Sequence, residues 1–461
     1  CTSEDQKTVK KDEEIINLGK ELAKELNKKY EDRFFPKFHF LYRTRKWNEG
    51  EGSYLGWERK RGLLNQFNRY ILEKEPSDFI VNTIEDYEEE IPKIKYVITL
   101  DADTDLVLNS AFELVGAMAH ILNKPVLDKE KNIVVEGHAL IQPKVGIDLI
   151  ASRKTLFTKI FAGSGGTDLY TNAISDVYQD NFGEGIFTGK GIYDISVFEQ
   201  VLKNEIPENT VLSHDLLEGC YLRCGLASDI LLMDGYPCKY NSFMSRLHRW
   251  IRGDWQISKW IKNKIIDKNG NKKKNPLNLL SKYKILDNLR RSMLEISCVL
   301  LVLFSFFLEA IDSISTLPFF LISFVAITIP MILEIINRVV HKKDGEKLQK
   351  MFSPVMNGYH GDWTRMILNF AFFPYKAWVS LDAIVKTIYR KTVSKKHLLE
   401  WTTAEEAEKN AKTDVWSYYK SMWFSILFSI FILLFALMSF PTLGKIVVAI
   451  FSLLWILSPY L

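Results

Sequence analysis

A chain of 461 residues has room for two or three domains. Its net charge of +4 is small and its lysines and arginines form no dense stripe among stacking aromatics, which argues against a nucleic-acid partner. Five cysteines, odd in number and unevenly spread, fit free thiols in a reducing compartment better than a disulfide framework. Hydropathy divides the chain: the first 290 residues alternate charged and apolar segments, whereas the remainder holds several long apolar runs. The first residue is Cys1 and no signal peptide precedes it, so the chain reads as a piece of a longer protein.

Residues 13–30 carry Ile15, Ile16, Leu18, Leu22, Ala23 and Leu26 at helical spacing, which predicts an amphipathic helix. A short strand is expected at 38–42. Trp57-Glu-Arg-Lys-Arg-Gly62 then leads into a helix over 63–72. The stretch that organises the rest is 94–104. Tyr96, Val97, Ile98, Thr99 and Leu100 read as a fully buried central strand, and it ends in Asp101 and Asp103. At the carboxyl end of a buried α/β strand, side chains point into the crevice where ligands bind. Two hard oxygen donors there suit Mg²⁺ or Mn²⁺ on a diphosphate, although an acidic turn would look the same. A calcium loop is excluded, because Leu106 and Phe112 stand where it needs Gly and Glu. With only one convincing strand before this point, the opening of a doubly wound sheet is expected to lie outside the chain.

A helix over 110–122, a strand over 134–141 and a helical stretch near Leu156 follow, and then the glycine loop 163–166. Gly183-Glu-Gly-Ile-Phe-Thr-Gly-Lys-Gly-Ile-Tyr-Asp194 fails as a phosphate-binding P-loop, since Gly191 replaces the hydroxyl residue after Lys190. It reads instead as a loop whose bare backbone, Gly189 included, lets a ligand approach closely. In Leu212-Ser-His-Asp-Leu-Leu-Glu-Gly219, Ser213 is expected to cap a helix beginning at His214. Asp215 falls in the first turn, where the helix dipole alone would favour it and a catalytic role is the second reading. Cys220, Cys224, Cys238 and His214 match no zinc spacing. A strand is expected over 227–233. Residues 245–256 concentrate Arg246, Arg249, Trp250, Arg252 and Trp255. Guanidinium groups suit a diphosphate and indole faces suit sugar rings; the bland alternative is a cationic surface helix.

A Lys-rich segment over 262–284 separates residues 1–290 from a membrane region over 291–461. Apolar runs at 296–311, 317–336, 424–440 and 446–457 suggest about four transmembrane helices. Positive charge before the first run, after the second (Arg338, Lys342, Lys343, Lys347, Lys350) and before the third places the first domain in the cytoplasm. Short outer turns at 312–316 and 441–445 make two hairpins. Over 366–391, Phe370, Phe372, Phe373, Tyr375 and Trp378 with Lys376, Lys386, Arg390 and Lys391 suit a helix lying in the membrane interface, or a packed connector.

A strand-terminal Asp-x-Asp, a later acid and an Arg/Trp motif ahead of membrane helices resemble the processive, inverting membrane glycosyltransferases. These are α/β proteins with a GT-A-like, doubly wound mixed sheet. Trp57-Glu-Arg-Lys-Arg-Gly62, Thr99-Leu-Asp-Ala-Asp-Thr104, the Gly183–Asp194 motif, Leu212–Gly219, Arg249-Trp-Ile-Arg-Gly-Asp-Trp-Gln256 and Leu398-Leu-Glu-Trp-Thr-Thr-Ala404 are similar to the glycosyltransferase domain of cyclic β-1,2-glucan synthases. The resemblance covers nearly the whole chain. It implies a bacterial inner-membrane enzyme that transfers glucose from UDP-glucose to a growing β-glucan, with further domains on the same polypeptide. It also implies roles: Asp101 and Asp103 hold the divalent ion, Asp103 more directly, and Lys60, Arg61, Gly62 and Arg249 contact the donor. Asp215 is the general base, and Trp250, Gly189 and Arg246 meet the acceptor. Arg246 occupies the Gln position of the related Gln-x-x-Arg-Trp motif, a departure that leaves its role open. A cellulose-, chitin- or hyaluronan-type synthase is the nearest rival, but would carry that Gln and Thr-Glu-Asp in place of Ser213-His214-Asp215. A non-catalytic receptor sensing nucleotide sugar would have lost the carboxylates. A transporter would need charge pairs within the apolar runs.

Overall fold

The computed structural model describes residues 4–30, 35–75, 78–87, 93–162, 176–312, 317–340, 359–439 and 442–461. Chain order begins α1 (Lys10–Lys29), β1 (Leu41–Arg43), β2 (Lys46–Asn48), β3 (Ser53–Leu55), α2 (Arg59–Glu73), β4 (Phe79–Asn82), β5 (Tyr96–Thr99), β6 (Thr104–Leu106) and α3 (Ser110–Ala119). It continues with β7 (Val126–Asp128), β8 (Ile133–Glu136), β9 (Leu140–Ile147) and three short helices, α4 (Leu149–Ser152), α5 (Leu156–Phe161) and α6 (Val177–Phe182). Then come β10 (Gly191–Asp194), α7 (Ile195–Leu202), α8 (Asp215–Leu222), β11 (Gly225–Asp234) and α9 (Tyr240–Ile257).

Five strands form a mixed sheet in the order β5-β10-β9-β11-β6, with β9 and β11 parallel and the other pairs antiparallel. The centre is β9, whose first four residues are all buried. Its side chains alternate between faces. Leu140 joins Tyr193, Phe198 and Leu217 on one side, and Ile141 joins Leu114, Met118 and Ile192 on the other. Pro143, which has no N–H to give a ladder, stands opposite Ala227 where the β11 pairing jumps to Leu231.

Two strand expectations are corrected. Among the described residues β5 pairs with β10 alone, so it is an edge strand and not the centre of the sheet. Its apolar run is explained by packing on both faces: Tyr96 and Ile98 lie against the α3 cluster and Val97 against the other core. The strand expected over 134–141 is two strands, β8 and β9. They are divided at Gly137, whose φ of +63° and whose approach to the Lys124 carbonyl exclude a side chain.

Beyond a small hairpin, β12 (Lys264–Ile266) with β13 (Lys272–Lys274), the chain is helical. The helices are α10 (Leu279–Ser292), α11 (Leu294–Asp312), α12 (Leu317–Val340), α13 (Tyr359–Tyr389), α14 (Ala404–Asn410), α15 (Val415–Ser421), α16 (Trp423–Ser439) and α17 (Thr442–Leu457). Four aromatic residues of α13 are buried as in a packed connector: Phe370 and Phe373 meet Val302, Phe428 and Trp455, while Phe372 and Tyr375 meet Met244 and Met422. Among the described residues no single helix is long and apolar enough to cross a membrane. Two bent pairs, α10 with α11 at 49° and α15 with α16 at 68°, reach that length together. The glycine loop 163–166, residues 313–316 and Lys342, Lys343, Lys347 and Lys350 lie outside the described residues.

Candidate active site

A cleft of about 1530 Å³ opens between the start of α2, the ends of β5 and β11, the glycine loop before β10, the start of α8 and the length of α9. Its chemistry begins at α2. Glu58 and Arg59, both with left-handed backbone (φ 50° and 52°), turn the chain sharply into the helix. Arg43 holds that turn by donating to the Trp57 and Arg59 carbonyls at 2.8 Å each. The turn delivers Lys60 to Asp101, and the same ammonium donates to the Gly189 carbonyl at 2.7 Å.

Asp101 is held from a second side. Lys190 Nζ lies 3.5 Å from its Oδ2 and also pairs with the buried Asp234, whose other oxygen accepts from Thr104 Oγ1 at 2.6 Å. Burial pushes the Asp101 carboxyl up, but Lys60 and Lys190 outweigh it and hold it below its ordinary value. Asp103, next along the chain, is exposed to the cleft.

Gly189 has a φ of +94°, and a Cβ there would sit 2.7 Å from Asp215 Oδ1. The glycine therefore lets the loop close onto this carboxylate. Asp215 opens α8 with His214 as N-cap, and no side chain caps the helix. The expected Ser213 cap is thus corrected: Ser213 packs against Gly253 of α9, where an added Cβ would lie 2.4 Å from it. His214 is buried, with Nδ1 2.8 Å from Glu218 Oε1 and 3.7 Å from Asp215 Oδ1.

Along α9, the Arg246 guanidinium lies 4.7 Å from the centre of the Trp250 ring, and that of Arg249 lies 3.9 Å from Trp401. Burial, with Arg246 and Arg252 adding repulsion, lowers the Arg249 pKa to about 10, so it remains a cation at neutral pH. The segment 398–402 straps the cleft. Its carbonyls are held in turn by Gln256 (Leu398, 2.7 Å), Arg59 (Leu399, 2.6 Å), Arg252 (Glu400, 2.9 Å) and Arg249 (Thr402, 2.9 Å).

Lys60, Asp101, Asp103, Gly189, Asp215, Arg246, Arg249 and Trp250 therefore share one cleft. Arg61 and Gly62 do not line it. Arg61 is buried against Glu58 and the Ile206 carbonyl, and Gly62 packs on the Trp57 backbone. Sequence reasoning missed Lys190 and Asp234 as site residues, although Asp234 ends a strand just as Asp101 follows one. A divalent cation fits the set through Asp103, with Asp101 already engaged by two ammonium groups. One carboxylate plus substrate phosphates is an ordinary Mg²⁺ arrangement.

No family model matches the chain. Over 450 residues, 97% of its length, it is 34% identical to the cyclic β-(1,2)-glucan synthase NdvB of Rhizobium meliloti (strain 1021). The chain is a relative of the cyclic glucan synthases. It spans about 15% of the length of that synthase, one segment of a much larger protein. The aligned 450 residues take in both the sheet domain with its cleft and most of the helical part.

Proposed function

We propose that this chain is the glucosyl-transferring part of a membrane-embedded synthase that lengthens a β-1,2-glucan from UDP-glucose with inversion. The observation that carries this reading is the meeting of Asp215 and Gly189 in the same cleft as Asp103, Arg249 and Trp250. Inverting transfer needs one base and a stabilised leaving group, with no enzyme nucleophile. Asp215 takes the proton of the acceptor 2-hydroxyl as that oxygen attacks the glucosyl C1. Trp250 supports the acceptor ring. Lys60, Arg246 and Arg249 supply fixed positive charge beside the diphosphate. Asp103 would hold Mg²⁺ or Mn²⁺, which when bound offsets charge building on departing UDP.

The membrane reading is supported by helices that bury hydroxyl side chains beside their apolar core and also leave large apolar side chains outward. Ser305, Ser323, Thr328, Ser425, Ser429 and Ser452 face inward, while Leu300, Phe304, Phe307, Ile322, Leu333, Leu427, Leu434 and Ile450 are exposed. Several buried hydroxyls bond to their own helices, as Ser429 does to Ser425 (2.6 Å) and Thr328 to Phe324 (2.8 Å). Hydroxyl residues within the helix cluster and large apolar side chains outside it suit lipid, and an apolar surface this extensive calls for cover in water. The bilayer is a bacterial inner membrane with the cleft on the cytoplasmic side.

The test is UDP release from UDP-glucose by membranes carrying the full-length protein, titrated with Mn²⁺ or Mg²⁺. Asp103→Asn is expected to raise the metal concentration needed at least tenfold. Metal-independent release in wild type would remove the ion from the site. UDP binding without any release would favour a nucleotide-sugar sensor.

A further inference from the structure

Glu218 is 1% exposed and His214 6%, yet neither side chain caps α8. They stand at i and i+4, His214 as the N-cap and Glu218 within α8, with Nδ1 and Oε1 at an ion-pair distance of 2.8 Å, and neither Nδ1 nor Glu218 Oε2 has a hydrogen-bond partner among the described residues. A carboxylate this deep is costly unless it is paired, and the imidazole is the partner on offer. The same Nδ1 lies 3.7 Å from Asp215 Oδ1, the oxygen that Gly189 approaches from the other side.

We propose that the His214–Glu218 pair is a positioning device for Asp215: it draws Oδ1 inward and leaves Oδ2 for the acceptor hydroxyl. This rests on the reading of Asp215 as base. Burial pushes the His214 imidazole down, but Glu218 and Asp215 outweigh it and hold it above its ordinary value, with Arg61 of α2 opposing them. Arg61 is itself paired with Glu58, and Tyr193 of β10, which feels the Glu218 charge, bonds Asn68 at 2.9 Å. The sign follows. A histidine with a raised value keeps its charge to higher pH than a free imidazole and loses it as pH rises through that value, so the hold on Asp215 weakens on the alkaline side.

The test is kcat/KM for UDP release by the full-length protein in membranes, from about pH 6 to about pH 9. Wild type is expected to show an alkaline limb. Glu218→Gln removes the counter-charge and should move that limb about one pH unit toward acid. In His214→Asn the side chain stays polar but can neither titrate nor carry charge, so the limb should vanish and kcat fall about tenfold with UDP affinity retained. A structural pair would change activity uniformly and leave the limb where it was. A wild-type profile with no alkaline limb, or a limb unmoved by both variants, overturns the proposal; should one variant lose UDP binding, the other decides. Asp215→Asn, run alongside, separates the two ideas. Full activity there defeats the base reading itself, whereas inactivity with an unmoved limb defeats only the pair's role.

Discussion

Gly189 is the residue on which the site closes. Its φ of +94° and the 2.7 Å approach of Asp215 to its missing Cβ leave no room for a methyl group without strain and a displaced carboxylate. Gly189→Ala should therefore lower kcat about 100-fold, because a shift of an ångström at a base is worth that much, while UDP affinity stays near wild type. Unchanged kcat would mean that Asp215 is not held against this loop. At this scale the sequence was partly legible. The strand-end carboxylates, the bare glycine backbone and the Arg/Trp motif are visible in the order of residues. The partners are not: Lys190 and Asp234 stand 44 residues apart, and Arg59 reaches a carbonyl 340 residues away. Only the folded chain brings such groups together.

At the scale of elements, α1 shows how one buried pair fixes a helix. Arg45 grips both Asp12 oxygens at 2.7 and 2.8 Å, Tyr42 adds a hydroxyl at 2.5 Å, and the Val9 amide donates at 2.8 Å. The bonds from Arg45 hold the Asp12 carboxyl well below the usual carboxylate range. A depressed carboxylate contributes stability above its unfolded value, and that contribution is lost as pH falls below about 4. Asp12→Asn removes the charge that Arg45 grips with both nitrogens and should loosen α1 by about 3 kcal/mol. Hydrogen exchange of the α1 amides measures this, and acid alone should reproduce it in wild type. Unchanged protection in both cases would place the docking elsewhere, on Gly19 against Phe40. Helices were legible here by their period, although α2 begins at Arg59, ahead of the expected 63. The edge position of β5 was not, because packing on both faces gives an edge strand the composition of a central one.

For the whole molecule, one surface and one cleft meet. The apolar helices leave large side chains outward, and α13 packs aromatic residues both among them and against α9, the helix that carries Arg246, Arg249 and Trp250. The cleft wall formed by α9 thus rests on apolar helices, an arrangement in keeping with the proposed polymer synthesis at a membrane. The hydropathy of the runs was plain in the sequence. Their bends at Met293 and Met422, and the inward turn of the serines, depend on neighbours that hydropathy does not register.

The most direct measurement is UDP release from UDP-glucose by full-length protein in membranes with Mn²⁺, wild type beside Asp215→Asn, with linkage analysis of any glucan. Removing a general base from a folded site is expected to lower release about 100-fold or more while UDP still binds, and the wild-type product should be β-1,2-linked. Full release from Asp215→Asn, or a wild-type glucan of another linkage, would contradict the proposed function.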